Sequence, residues 1–154
     1  VSSPLDGSDG GRNDFFSRHG GAIAPIADPA DGAARVAGAI YDPEAEEVAI
    51  GYVDPVTVAF SRTGSFSGEA LSPPAQDYVE VNLTDMAVSP QGFVWILNGP
   101  GSAVKTDLSG EIFRTIWLPE RDWYRAIAVA EDGRVFIGAD HSILVYGPQI
   151  QESN

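Results

Sequence analysis

The chain has 154 residues and carries 22 Asp and Glu against nine Lys and Arg, a formal net charge of −13. This length suits one domain, and the acidity excludes a binder of the phosphate backbone while it permits a basic protein partner or cation binding. The absence of cysteine excludes disulfides and thiolate chemistry, and no apolar run approaches the roughly 20 residues that cross a bilayer.

The first segment, residues 1–14, is polar and rich in glycine, and we predict that it is a flexible arm. Its run from Asp6 to Asp14 mixes Asp and Asn with Gly, as calcium loops do, but lacks their terminal Glu. The sequence begins at Val1, as a mature exported protein does after its leader is removed, and an excised fragment would begin the same way. With no cysteine present, we favour a periplasmic or extracellular location over a cytoplasmic one.

Three later segments share one pattern: a short apolar strand, a polar turn of four or five residues and a second apolar strand. They cover residues 38–52, 85–98 and 126–140. Equivalent positions lie 47 and 41 residues apart, at Tyr41, Val88 and Val129. Self-similarity at such a period is typical of repeat architectures.

The stretch after each of the first two segments also repeats, since 56–71 matches 102–117. Gly64 and Gly110 would lie at the tips of hairpins, where a backbone with positive φ favours glycine. One unit therefore contains four strands in 41 to 47 residues, which is the size of a β-propeller blade. The predicted blades cover residues 35–71, 83–118 and 124–146.

The third blade lacks a fourth strand, because only a short tail, 149–154, follows its third strand. Residues 16–20 resemble residues 60–64, so we predict that 16–26 complete this blade within a domain of residues 15–148. The predicted fold class is all-β, with propeller-type four-stranded antiparallel blades, about three per chain. Known rings use roughly four to eight blades, so the ring is incomplete, and a partner protein, a second copy or a longer chain would cover its ends.

The third unit resembles an NHL repeat. The resemblance rests on 127–140, with Asp-Gly at its turn and Val-Phe-Ile after it, and on the short strand 143–146. Residues 86–96 and 104–112 fit the same pattern, whereas the first unit departs from it because Ala45 replaces the usual turn glycine. The resemblance covers about 110 residues and implies a propeller, a fold that serves enzymes, ligand binders and scaffolds alike.

Calcium-dependent lactonase-like or lyase-like propellers gather carboxylates and amides around their axis. The resemblance therefore makes Asp85, Asn98 and Asp140 candidate calcium ligands, since hard cations prefer oxygen donors. The alternative is that these side chains bind their own turns, as Asp and Asn often do.

Two other loops hold candidates. His141, beside Asp140, is a candidate acid or base because imidazole titrates near neutrality; the alternative is an exposed histidine without a role. The run Arg121, Asp122, Trp123 and Tyr124 combines aromatics with charge, as protein interfaces do. The alternative is that Trp123 fills the seam between the second and third blades.

We therefore predict a non-catalytic interaction or accessory module that docks on a partner protein or self-associates into a full propeller. The alternative is a calcium-dependent NHL-like lactonase or lyase, formed by a six-bladed dimer or a longer chain. A carbohydrate-binding propeller ranks third, because no Trp or Tyr recurs at the same loop of each unit. The sequence therefore favours a non-catalytic role, but it does not exclude an enzyme.

Overall fold

Short stretches of alternating apolar residues form β-strands in this computed structural model, which describes residues 20–119 and 122–148. A single 3-10 helix, Gly68–Leu71, accompanies them in the described part of the chain. The strands are β1 (Gly21–Ala27), β2 (Ala34–Asp42), β3 (Glu47–Val53), β4 (Phe60–Ser67), β5 (Leu83–Val88), β6 (Val94–Asn98), β7 (Ser102–Thr106), β8 (Ile112–Trp117), β9 (Tyr124–Val129), β10 (Val135–Ala139) and β11 (Ile143–Tyr146).

The strands form three antiparallel sheets. The first has the order β1-β2-β3-β4, the second β5-β6-β7-β8, and the third β9-β10-β11. The predicted all-β class is therefore confirmed, and across residues 20–119 and 122–148 the sheets do not close into a ring. No helix in these ranges is long and apolar enough to cross a membrane.

The second and third sheets lie within the ranges predicted for their blades, 83–118 and 124–146, but the first sheet does not. It runs from β1 to β4, so it begins before residue 35 and ends at Ser67. β1 pairs along its whole length with β2, from Gly21 opposite Ile40 to Ala27 opposite Ala34. The prediction that 16–26 complete the third blade is therefore wrong for 21–26. Residues 16–19, the arm 1–14 and the tail 149–154 lie outside the described residues.

Gly64 is also not at a hairpin tip. It lies inside β4, opposite Ile50 of β3, and the pairing skips Thr63 before it resumes with Arg62 opposite Gly51. The Thr63 hydroxyl donates to the carbonyl of Leu108, 2.6 Å away, in the turn between β7 and β8. A β-carbon at Gly64 would lie 2.2 Å from the carbonyl carbon of Ser109 in that turn. Glycine is therefore required here by the close approach of two sheets rather than by a turn.

Three tight turns of the second and third sheets, β5–β6, β7–β8 and β9–β10, share one geometry. In each, a glycine at positive φ donates its N–H to the carbonyl three residues earlier: Gly92 to Ser89, Gly110 to Asp107, and Gly133 to Ala130. The positive φ predicted for Gly110 is confirmed at +91°. In the β7–β8 turn, burial acts to raise the pKa of Asp107, but hydrogen bonds from the Ser109 hydroxyl and from backbone N–H groups outweigh it and lower that pKa.

The second sheet is the centre of the molecule, because each of its faces belongs to a different apolar cluster. One face packs Met86, Ile96 and Val104 against the inner face of the first sheet. The other packs Trp95 and Leu97 against the third sheet. β1 lies against β5, and β5 against β9, and a parallel bridge joins Gly20 to Leu83. The sheets therefore stack in chain order, with their first strands side by side.

Candidate functional site

A segment of residues 68–82, here called the connector, links the first sheet to the second and is held by buried polar side chains. The hydroxyl of Ser102, which is fully buried, donates to the carbonyl of Leu71 at 2.7 Å. The hydroxyl of Ser72, also buried, accepts the N–H of Glu80 at 3.2 Å. Because unsatisfied buried polar groups are costly, these bonds fix where the connector lies.

Asn98 is the central part of this arrangement. Its side chain is 1% exposed; its amide oxygen accepts the N–H of Asn82 at 2.7 Å, and its amide nitrogen donates to the carbonyl of Glu80 at 3.0 Å. Both groups lie on the connector, so one side chain binds it by a donor and an acceptor together. Asn98 therefore fixes the connector at two backbone groups, and we call this pair of hydrogen bonds the Asn98 clamp.

The connector forms one wall of a cleft whose other wall is the end of β8 and the loop 99–101. Two adjoining hollows of about 490 and 640 Å³ make up this connector cleft. Tyr78 and Trp117 line both hollows, and the two side chains are 60% and 44% exposed. Gln76, which also lines both, donates from its side chain to the carbonyl of Tyr78 at 3.1 Å. The cleft thus presents two aromatic rings to solvent on a hydrogen-bonded frame.

The ionisable groups of the cleft are acidic apart from the Tyr78 phenol. Glu80 lines the first hollow, and Glu69 and Asp77 line the second. No Lys, Arg or His from the described part of the chain lines either hollow, and none of these three carboxylates forms an ion pair there. By contrast, Asp28, Glu47, Asp132 and Asp140 each bind an arginine. The cleft therefore combines aromatic rings with negative charge that no residue in the described part of the chain pairs with.

The two carboxylates predicted as calcium ligands with Asn98 have separate partners. Asp85 accepts the N–H of Ile127 at 2.9 Å, a bond that joins β5 to β9. Asp140 accepts from the guanidinium of Arg125 at 2.5 Å. Among the described residues no group of three or more His, Asp and Glu side chains could hold a metal ion. The structure thus gives each predicted ligand a structural bond, and the calcium site stays an untested prediction.

The acid or base role of His141 stays a prediction, whereas one residue of the candidate interface loop, Tyr124, is buried. His141 is exposed after β10. Tyr124 is 1% exposed, and its hydroxyl donates a hydrogen bond to the carbonyl of Pro119. Its ring is therefore buried inside the protein, whereas the prediction placed it at a partner interface. Burial raises the pKa of the Tyr124 phenol, and the charge of Asp122 adds to the rise. Arg121 lies outside the described residues.

Trp123 lies at the seam between the second and third sheets. A β-carbon at Gly99 would be 2.8 Å from the Trp123 ring, so the ring packs closely against the glycine backbone. Beside it, the Thr84 hydroxyl donates to the carbonyl of Tyr124 at 2.9 Å, and the Tyr124 N–H donates to the carbonyl of Gly99 at 3.1 Å. These contacts favour the seam interpretation of Trp123 over the interface interpretation.

Sequence reasoning missed the connector cleft. No repeated motif marks it, because its rings come from one connector and one strand end that are 39 residues apart in the sequence. The one available signal was that a proline-rich linker contained both an aromatic residue and acids. No protein-family model matches this chain, and no curated protein matches it.

Proposed function

We propose that this chain is a non-catalytic interaction module that docks through the outward faces of its first and third sheets, on a partner protein or on a second copy. The third sheet supports this proposal most directly. It has three strands where the other two have four, and within residues 20–119 and 122–148 no strand pairs with the outer edge of β11. Free strand edges accept strands from other chains.

The outward face of the third sheet is mainly apolar, and the guanidinium of Arg134 lies 5.3 Å from the ring centre of Phe136 on it. Ile143 and Val145 are 71% and 53% exposed, and Val145 lies opposite Phe136 on β10. The equivalent face of the second sheet, around Trp95 and Leu97, is buried against the third sheet. A face that is covered in one sheet and open in the next is typical of an interaction surface.

The outward face of the first sheet offers a second apolar surface. A hollow of about 510 Å³ there is lined by Ile23, Val36 and Val53, and Ile23 is 59% exposed. Val58, at the rim of this hollow, has φ of +64°, a conformation that is strained for a β-branched residue. Strain of this kind often accompanies functional surfaces. The resemblance to NHL-repeat propellers supports the same proposal, because a partial propeller has two open ends.

Light scattering over a wide concentration range tests the proposal, together with capture of partners from native material. We expect either a species of twice the 16.3 kDa chain mass or a captured protein. The double variant Ile143→Asp, Val145→Asp should weaken both, and the addition of Ile23→Asp should abolish them. Gln91→Asp, which is exposed in the β5–β6 turn and away from the end faces and the connector cleft, should not change either. A chain that stays monomeric and captures nothing would contradict the proposal, as would association that the double variant leaves intact.

The calcium-dependent enzyme and the carbohydrate-binding propeller have no comparable support from the geometry. Thermal melts with calcium and with a chelator test whether the chain is the calcium-dependent enzyme. Because Asp85, Asn98 and Asp140 each have a structural partner, we expect no difference between the two melts. A calcium-dependent rise that Asp85→Asn removes would favour the enzyme.

A further inference from the structure

We propose that the connector cleft binds an extended peptide segment that carries arginine or lysine side chains. This inference goes beyond the proposed function, because the cleft lies at the junction of the first and second sheets and away from both end faces. It rests on three observations: exposed aromatic rings, carboxylates that form no ion pair with residues 20–119 and 122–148, and an adjoining strand edge.

The aromatic rings provide the first element of recognition. Tyr78 and Trp117 both line the two hollows although they are largely exposed. A guanidinium or ammonium group over the face of such a ring is attracted by the ring quadrupole, most strongly over Trp. The protein itself contains this interaction elsewhere, since the guanidinium of Arg114 lies 5.9 Å from the ring centre of Trp95 and the ammonium of Lys105 lies 4.5 Å from that of Phe93.

The charge of the cleft selects cations over neutral or acidic ligands. Glu69, Asp77 and Glu80 line the hollows, and none of them forms an ion pair within the described part of the chain. A bound arginine would therefore supply a partner without displacing an internal one. The net charge of −13 adds a long-range attraction that accelerates the approach of a basic ligand.

The strand edge favours an extended ligand over a compact cation. β8 is the last strand of its sheet, and its alternate residues Thr115 and Trp117 line the second hollow. An extended segment that adds to an edge strand presents every second side chain to the same side. A peptide with a basic residue at every second position would thus place its cations toward the rings and carboxylates of the cleft.

The cleft is also pre-organised, because its wall does not depend on the ligand for order. Ser72, Asn98 and Ser102 hold the connector through its backbone, while the acidic side chains of the wall remain exposed. Binding to a preformed site avoids the entropy of ordering a loop.

Fluorescence anisotropy with a labelled hexapeptide that alternates arginine and valine tests the proposal. We expect Trp117→Ala to weaken binding about fivefold to thirtyfold, which is the range of a desolvated cation–π contact. Trp117→Phe, which keeps an aromatic ring, should weaken binding less than Trp117→Ala does. Phe136→Ala is the control, because Phe136 is a partly exposed aromatic residue on β10 of the third sheet, away from the cleft. A melt of each variant establishes that it is folded.

A second comparison separates the cleft from the general acidity of the protein. Glu80→Gln and Glu131→Gln change the net charge equally, but Glu131 lies in the third sheet's β9–β10 turn. We expect Glu80→Gln to weaken binding about threefold to tenfold and Glu131→Gln to leave it unchanged. Equal effects of the two variants, or full binding by Trp117→Ala, would overturn the proposal.

Competitors determine the ligand class. Spermine carries the charge without a strand, cellohexaose offers sugar rings without charge, and a peptide alternating glutamate and valine has the strand with the opposite charge. The proposal requires that none of them competes as well as the unlabelled arginine peptide. Equal competition by spermine or by cellohexaose would overturn it in favour of a small polycation or a saccharide. Because the readout is peptide affinity rather than molar mass, failure here leaves the end-face proposal to its own test.

Discussion

The buried side chain of Asn98 holds in place the connector, which forms one wall of the cleft. It is 1% exposed and binds the connector through both ends of its amide group. The sequence marks it as a candidate through its residue type and its place at a strand end, either as a metal ligand or as a side chain that binds its own turn. Its partners could not be identified from the sequence, because the Asn82 N–H and the Glu80 carbonyl come from a connector whose path depends on long-range packing. Asp85 follows the same logic, since its partner Ile127 lies 42 residues away.

Replacing Asn98 with alanine should destabilise the fold by about 2 kcal/mol, because it leaves the N–H of Asn82 and the carbonyl of Glu80, both in part-buried hydrogen bonds, without their partner. Urea denaturation measures the change in the free energy of unfolding. Gln91→Ala is the control, since Gln91 carries the same amide group but is exposed in the turn after β5. We also expect weaker binding of the arginine peptide, because the connector loses its clamp. Equal stability of the two variants would contradict the clamp.

At the scale of elements, the second sheet was predictable strand by strand, whereas the first was predicted out of phase. The hairpins β2–β3, β5–β6 and β9–β10 look alike in sequence because each is two apolar strands around a polar turn. The sequence pattern identifies such a hairpin but not its position within the sheet. In the first sheet, β1 pairs with β2, so the β2–β3 hairpin forms the second and third strands of its sheet. The β5–β6 and β9–β10 hairpins form the first and second strands of theirs. The pairing of β1 with β2 depends on contacts of β1 with β5, which no local pattern contains.

The contact between β4 and the β7–β8 turn yields a prediction about glycine. Gly64→Ala should destabilise the protein by about 1–3 kcal/mol, because its β-carbon would meet the backbone of Ser109 at 2.2 Å. Gly147→Ala is the matched control, since no atom of the described residues lies within 4 Å of a β-carbon there. Chemical denaturation of both variants measures the difference. A Gly64→Ala protein as stable as the control would show that the two sheets do not approach so closely.

At the scale of the whole molecule, protection from solvent is uneven. The second sheet has partners on both faces, whereas the third sheet has one face that is open to solvent. Local stability follows the number of buried contacts and protected hydrogen bonds. The sheets therefore form a stack with a stable centre and a more exposed end.

Hydrogen exchange on dilute protein should show this gradient directly. We expect the amides of β6 and β7 to exchange most slowly and those of β11 to exchange fastest among the strands, because β11 opens without disturbing the central clusters. Mass spectrometry of peptides covering each strand measures the rates. Equal protection of β7 and β11 in a monomeric sample would contradict the gradient.

The stacking of the sheets in chain order also gives the molecule a polarity. The end with the strained Val58 turn and its hollow differs from the end formed by the third sheet and its β11 edge, so two copies that join through unlike ends meet head to tail. Such a contact repeats on every copy that is added, and only the rotation between neighbours decides whether growth stops at a closed ring or continues as a filament. The rotation between neighbouring copies would therefore govern whether a concentrated solution stays clear or forms fibres.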